Sequence, residues 1–408
     1  MRNLLFLSHR IPYPPDKGDK IRAWNILRYL SRTHRIHLGC FIDDPADRQD
    51  LAPLAAHCAD LTCLPLDPRA QRLKALLRLR RRQPLSLGYF QDRRLQRWVD
   101  AKLADSAIDS VYVFSSAMAG YVMHAKVGRR VLDMVDVDSE KWTAYAETAR
   151  FPARHVWARE GRTLLAFERL AAARFDHSLF VSEHEWQRFV KLAPETVDRT
   201  SWVSNGVDFD HFSPVHGFVP PFAGEGADLV FTGRMDYRPN IEAVRWFARE
   251  VLPVLRRRVS TARFWIVGAA PTNEVRALTR LSGVEVTGRV PDTRPYLAAA
   301  DVVVAPLGIG RGIQNKLLEA MAMARPVVAT PEAFQGVRAE PGRDILLASG
   351  VDETVQRIAD VLDGRHATMG AAARCAVEAS HQWSVTLRPL DRLFGVARPE
   401  PAQAVLPA

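Results

Sequence analysis

The chain has 408 residues, a formal net charge of +10 and an apolar fraction of 47%. At roughly 100–200 residues per domain that length suggests two domains, large enough to bury cores without staples, and the composition gives no sign of disorder. The charge is uneven: residues 1–204 hold 33 Lys/Arg against 24 Asp/Glu, whereas residues 205–408 hold 23 against 22. An anionic partner, nucleic acid or membrane, is therefore expected on the first half.

Cys40, Cys58, Cys63 and Cys375 fit no zinc spacing and read as reduced core residues of a cytosolic protein. The opening run MRNLLFLSHRIPYPP is too short in apolar residues for a signal peptide. No stretch approaches the ~20 apolar residues of a membrane span.

Taken in chain order, apolar runs of strand length alternate with amphipathic segments. Strands are expected at Asn3–Ser8, Ile36–Phe41, Ser110–Phe114, Arg130–Met134 and Ser178–Val181, with helices over Arg22–Ser31 and Glu183–Lys191. The pattern restarts with strands Leu229–Thr232, Arg263–Val267, Val284–Thr287, Val302–Ala305 and Pro326–Ala329, and helices over Asn240–Arg257 and Leu317–Ala324. Such βαβ alternation predicts parallel sheets with helices on both faces. The Pro/Gly-rich segment Val203–Pro221 reads as the linker, and the tail after Pro399 as disordered.

The stretch Gly308–Thr330 carries the densest chemistry. A strand runs into a loop with three glycines, Gly308, Gly310 and Gly312, and a helix begins near Asn315. Glycines let the backbone approach a ligand closely, and a helix start presents free N–H groups and a positive dipole end to an anion. Lys316 in the first turn can reach a phosphate as a point charge. Glu319, three residues on, shares its face and can accept from ribose hydroxyls.

The run Asn315-Lys-Leu-Leu-Glu-Ala-Met-Ala with Arg325-Pro-Val-Val-Ala-Thr resembles the donor-nucleotide motif of glycosyltransferase family 4. Val203-Ser-Asn-Gly-Val-Asp with Phe212-Ser-Pro, Phe231-Thr-Gly-Arg-Met and Gly288-Arg-Val-Pro-Asp resemble further signatures of that family, in order. In the first half, His9–Arg22 and Leu132–Trp142 look like the sugar transferases of exosortase/PEP-CTERM exopolysaccharide loci.

The resemblance implies an α/β protein of the GT-B fold, two Rossmann-like domains facing each other across a cleft. Residues 1–204 would bind acceptor, 205–384 would bind nucleotide-sugar, 385–398 would return as a helix to the first domain, and 399–408 would be a tail. It implies a retaining hexosyltransferase that moves a sugar from a nucleotide-diphosphate donor to a lipid-linked or glycan acceptor in exopolysaccharide or envelope polysaccharide synthesis. Gly18 matches the glycine turn that approaches the donor, with Asp19 and Lys20 as loop or acceptor candidates. Arg234 and Lys316 match the cations on the diphosphate, Glu319 the carboxylate on the ribose, and Val290 the residue whose backbone meets the base.

The sequence departs from the family twice. A second Glu upstream of the one matched by Glu319 is replaced by Arg311, so sugar contacts fall to backbone N–H groups of Gly312, Ile313 and Gln314 beside Asn315. The turn where many members place a His reads Asp136-Val-Asp138. Either acid could stabilise positive charge on the sugar or orient an acceptor hydroxyl, and Asp138 or Ser139 could instead cap the following helix. GT-B enzymes generally stabilise the leaving diphosphate with Arg, Lys and a helix end, so no metal and no other cofactor is expected.

Arg69–Arg82 reads RAQRLKALLRLRRR, with seven basic residues and no acid. Arg72, Lys74, Arg78, Arg80, Arg81 and Arg82 would face an anionic bilayer from a short amphipathic helix carrying Leu73, Leu76 and Leu77. No aromatic platform accompanies the charge, which argues against nucleic acid. The expected location is cytoplasmic, peripheral on the inner face of the membrane. The rival readings are a nucleotide-sugar epimerase on the same fold and a non-catalytic nucleotide-sugar-binding scaffold. A nicotinamide dehydrogenase is disfavoured because the first strand leads into Ser8-His-Arg-Ile-Pro, not a G-x-G-x-x-G turn.

Overall fold

The computed structural model describes residues 1–48, 51–67, 69, 71, 83–105, 108–222, 224–310 and 312–396. It divides into two compact units, an N-terminal unit of Met1–Val203 together with the chain from Leu387 onward, and a C-terminal unit of Ser204–Thr386.

The N-terminal unit is built on a seven-stranded sheet of β1 (Arg2–Ser8), β2 (His34–Ile42), β3 (Asp60–Pro65), β4 (Ile108–Phe114), β5 (Arg129–Val135), β6 (His177–Phe180) and β7 (Thr200–Trp202). Every pairing is parallel, in the order β3-β2-β1-β4-β5-β6-β7. Leu4, Leu5, Phe6, Leu7, Val111, Tyr112 and Val113 are fully buried, as expected where helices cover both faces of a parallel sheet. Its helices include α1 (Gly18–Leu30), α2 (Arg93–Asp105), α3 (Asp138–Thr148), α4 (Ala153–Arg174) and α5 (Glu183–Leu192).

The C-terminal unit repeats the plan with β8 (Ala227–Thr232), β9 (Ala262–Val267), β10 (Val284–Gly288), β11 (Val302–Ala305), β12 (Val327–Ala329) and β13 (Leu346–Leu347), all parallel, in the order β10-β9-β8-β11-β12-β13. Its helices include α6 (Arg238–Trp246), α7 (Asn315–Ala322), α8 (Gly350–Leu362) and α9 (Met369–His381). In each sheet the order reverses once, between β1 and β4 and between β8 and β11. In open α/β sheets ligands bind outside the carboxyl ends of the strands at such a reversal. The loops after β8 and β11 are those that carry Arg234 and Lys316.

The structure corrects several expectations. The first helix starts at Gly18, not Arg22, because Lys20, 1% exposed, is held by Asp16 and Asp47 at 3.1 and 2.8 Å and draws the charged first turn into the fold. The helix expected over 240–257 is interrupted. Pro253 has no N–H to give to the turn before it, and Phe247–Val251 adopts the wider π-helical turn before the helix resumes at Leu252–Arg258. Strands β3, β7 and β13 were not expected, the first because its half-buried face reads as polar and the others because they are only 3 and 2 residues long. Nor is Asp138 or Ser139 the cap of α3. No side chain caps it from within, and its first N–H groups are met from outside, Val137 donating to Glu185 at 2.9 Å and Ser139 to Glu168 at 3.3 Å. Of the four free cysteines only Cys40 lies in the core, and Cys375 is exposed. Among the described residues the last helix is the short Arg388–Leu393. The basic residues Arg72, Lys74, Arg78, Arg80, Arg81 and Arg82, the departure at Arg311 and the tail all lie outside the described residues.

Candidate functional site

In the C-terminal unit, β8 ends at Thr232 and the chain turns at Gly233, whose N–H donates to Val267 at 3.0 Å. A Cβ at 233 would lie 2.8 Å from the Asn240 side-chain nitrogen and 3.2 Å from Lys316 Nζ, and a Cβ at Gly268 would run into the Gly233 carbonyl oxygen. Only glycines let these backbones and the cation pack so closely.

Asn240, on the first turn of α6 and 6% exposed, joins the turn to the second loop. Its amide nitrogen donates to the Arg234 carbonyl at 2.8 Å, and its Oδ1 accepts from Lys316 Nζ at 2.7 Å. The Lys316 ammonium also lies 4.0 Å from the centre of the Phe231 ring, an attractive arrangement for a cation. Arg234 is more open, its guanidinium bonded to Asp236 at 2.6 Å.

The loop after β11 is packed just as closely. A Cβ at Gly310 would run into the Glu332 carbonyl oxygen, and Gly312 has a left-handed φ of 61°. Ile313 is buried, whereas Gln314, Asn315, Lys316 and Glu319 are half-buried. No side chain caps α7, and Gln314 precedes it in extended conformation. Asn315 Oδ1 accepts from Asn205 at 3.1 Å. Asn205 is itself held by the His381 ring, whose Nδ1 lies 3.0 Å from the Asn205 carbonyl while Nε2 accepts from the Arg338 N–H at 3.0 Å. The helix start is thus fixed by side chains from the ends of this unit's own sequence. Val290 is half-buried against the core, just past Gly288, which turns at φ 71° with open space beside it.

The electrostatics match an anion site awaiting its charge. Burial drives the Lys316 ammonium down from 10.5 to about 7, partly opposed by Glu319. Burial also drives Glu319 up from 4.5 to about 7, opposed by Lys316. Desolvation moves both side chains toward their neutral forms, so a phosphate beside Lys316 and a hydroxyl beside Glu319 would each relieve a desolvation cost.

In the N-terminal unit, Gly18 is exposed at the first position of α1. Asp19 is bound by His9 and Arg10 at 3.3 and 2.6 Å. Burial alone would raise its carboxyl, but the contacts with His9 and Arg10 hold it well below the usual carboxylate range. Asp19 and Lys20 therefore brace this loop. The turn after β5 is strained at Val135, with φ 67°. Asp136 follows it. Its Oδ1 is buried without a hydrogen-bond partner, and burial, then Glu185 and Asp138, push its carboxyl up to about 7. Beneath this turn lies a polar cluster that the sequence did not single out. The wholly buried Asp133 accepts from Arg22 at 2.9 Å and from Tyr112 at 2.6 Å, and Arg22 reaches the Val203 carbonyl at 2.7 Å.

Asn240, Asn205, His381 and Arg22 are thus site-supporting residues missed in the sequence. A buried asparagine in the turn after a Gly-Arg pair is the signal that could have found Asn240. Among the described residues no group of three or more His, Cys, Asp or Glu could hold a metal ion.

Residues 226–364 match the family model described as glycosyl transferases group 1. HepE of Anabaena, solved with UDP and glucose, superposes with a TM-score of 0.69 at 15% identity, over 97% of this chain and 100% of its own. Sucrose-phosphate synthase of Thermosynechococcus elongatus gives 0.69 at 16% identity, over 97% and 98%. WaaG, a glycosyltransferase involved in lipopolysaccharide biosynthesis, gives 0.65 at 16% identity, over 96% and 100%. At these identities the likeness is one of fold, and the fold is GT-B, as expected from the sequence. No curated protein matches the chain in sequence. The fold is therefore GT-B, and residues 226–364 carry a domain that matches the group 1 glycosyl transferases.

Proposed function

We propose that the protein transfers a sugar, with retention, from a nucleoside-diphosphate sugar to a lipid-linked or glycan acceptor in exopolysaccharide or envelope polysaccharide synthesis, at the inner face of the cytoplasmic membrane. The observation that carries the donor assignment is the Lys316 ammonium, held by Asn240 at 2.7 Å at the uncapped start of α7. Lys316, Arg234 and the N–H groups from Gly312 to Asn315 take the diphosphate, and Glu319 takes the ribose. HepE was solved with UDP and with UDP-glucose, which makes UDP the first nucleotide to try.

In the reaction the bond from the anomeric carbon to the diphosphate breaks, and the diphosphate leaves with the electron pair. The acceptor hydroxyl forms the new bond from the same face, and its proton passes to the departing phosphate oxygen. Charge on the leaving group is stabilised by fixed donors without a metal. Asp136, with an unpartnered oxygen, accepts a hydrogen bond from a sugar or acceptor hydroxyl, and Asp138 tunes it.

Calorimetric titration of UDP, GDP and ADP into wild type and Lys316→Ala tests the donor site. Binding of one nucleotide, weakened at least tenfold in the variant, supports it. Equal binding by both proteins, or none by wild type, overturns it.

A further inference from the structure

Helices α3 and α4 form an antiparallel hairpin joined by the short turn 149–152. At its base, Gly161 of α4 packs against α3 so closely that a Cβ would lie 3.0 Å from the Ser139 carbonyl, and Glu168 accepts from the Ser139 N–H. From Gly161 back to Ala153, where α4 begins, there are eight residues of rise, so the turn at the tip stands about 12 Å from that contact. Toward the tip the two helices are joined by rings, Trp157 lying 6.5 Å from Trp142 and 5.7 Å from Tyr145. The end of the hairpin is therefore an aromatic stem.

What the stem presents is unusual for a water-facing turn. Phe151 is 82% exposed, against 45% for Tyr237, the other large exposed aromatic side chain among the described residues. Arg150, Pro152, Arg154 and His155 around it are exposed too. Neither Arg150 nor Arg154 has an ion-pair partner among the described residues. The acid nearest in sequence on α4, Glu160, is buried and occupied by the Leu85 and Ser86 N–H groups at 2.7 and 2.9 Å. Gln83, which follows the basic run Arg69–Arg82 in sequence, gives its carbonyl to Arg159 of the same hairpin at 3.2 Å. An exposed ring flanked by unpaired arginines, on the unit that carries the positive surplus, matches the chemistry of a bilayer interface. There rings sit at headgroup level and cations meet lipid phosphates.

We propose that the hairpin tip, Arg150–His155, docks on an anionic bilayer, with Phe151 entering the interfacial layer and Arg150 and Arg154 meeting headgroup phosphates. This deepens the reading of a membrane-borne acceptor, on which its biological purpose rests, but the geometry is the hairpin's own.

The test is co-sedimentation of the full chain with phosphatidylcholine vesicles, with and without phosphatidylglycerol, for wild type, Phe151→Ser and Arg150→Gln/Arg154→Gln. Thermal unfolding and UDP titration of the same proteins run alongside. Wild type is expected to sediment with the anionic vesicles, Phe151→Ser to bind about tenfold more weakly, and the double arginine variant about 30-fold more weakly, with unfolding temperature and UDP binding unchanged. Wild type that ignores anionic vesicles, or Phe151→Ser that sediments like wild type, overturns the proposal. A Phe151→Ser protein that changes its oligomeric state and keeps its vesicle binding overturns it in favour of a protein interface. Failure of UDP binding alone counts against the donor assignment and leaves the sedimentation result to be scored separately.

Discussion

Raising the pH from 7 to 9 should weaken nucleoside-diphosphate binding, and the surroundings of Lys316 set the size of the effect. The ammonium faces a neutral acceptor at 2.7 Å and a ring at 4.0 Å, and desolvation draws it from 10.5 to about 7 in spite of Glu319. A diphosphate beside Nζ favours the charged form and restores an ordinary lysine value. The bound state then holds more protons than the free state between about pH 7 and pH 10, so affinity falls as pH rises through that window. With a free value of about 7, roughly half of Lys316 is charged at pH 7 and roughly 1% at pH 9, which gives a loss of about 50-fold. A free value one unit higher gives about 10-fold. Calorimetry with UDP in pairs of buffers of different ionisation heat reads both quantities, with uptake of about half a proton at pH 7 and nearly one at pH 9. Lys316→Arg keeps its charge throughout and should be flat. A wild type as flat as Lys316→Arg, with no proton uptake, would refute the reasoning.

Asn240→Ala removes both the acceptor for Lys316 and the donor to the Arg234 carbonyl; at about 0.5–1.5 kcal/mol per hydrogen bond, UDP affinity should drop about 5–150-fold, read by the same titration. Gly310→Ala and Gly268→Ala each drive a Cβ into a carbonyl oxygen and should cost more than about 2 kcal/mol, seen as a lower urea midpoint. Glu168 is wholly buried and raised to about 8 by burial first. Its native state therefore binds the extra proton between about 4.5 and 8, and stability should fall by about 3–5 kcal/mol as pH rises through that window. Glu168→Gln should abolish that slope in urea titrations at pH 5 and 9. Asp136→Asn should lower sugar transfer or UDP-sugar hydrolysis by a hundredfold or more with UDP binding intact, and wild-type activity should climb through about pH 7 as Asp136 loses its proton.

By itself the sequence determined the architecture and singled out the loops proposed to hold the donor. Near-continuous apolar runs such as Asn3–Ser8 and Val302–Ala305, bounded by turn residues, read as buried strands, and a glycine loop running into Asn315-Lys316 reads as a helix start with free N–H groups for an anion. These signals are local, so they survive without coordinates. Tertiary structure decided how the charges are spent. Asp19 and Lys20 looked like free loop groups until His9, Arg10, Asp16 and Asp47 were seen to hold them. Asp138 looked like a cap until Glu185 and Glu168, 47 and 30 residues away in sequence, supplied that role. Asn240 reaches Lys316 across 76 residues, and nothing in the spacing marks the pair. Partners of this kind meet because parallel strands bring distant loops to one sheet edge, and the energetics there depend on burial, which only the folded chain sets.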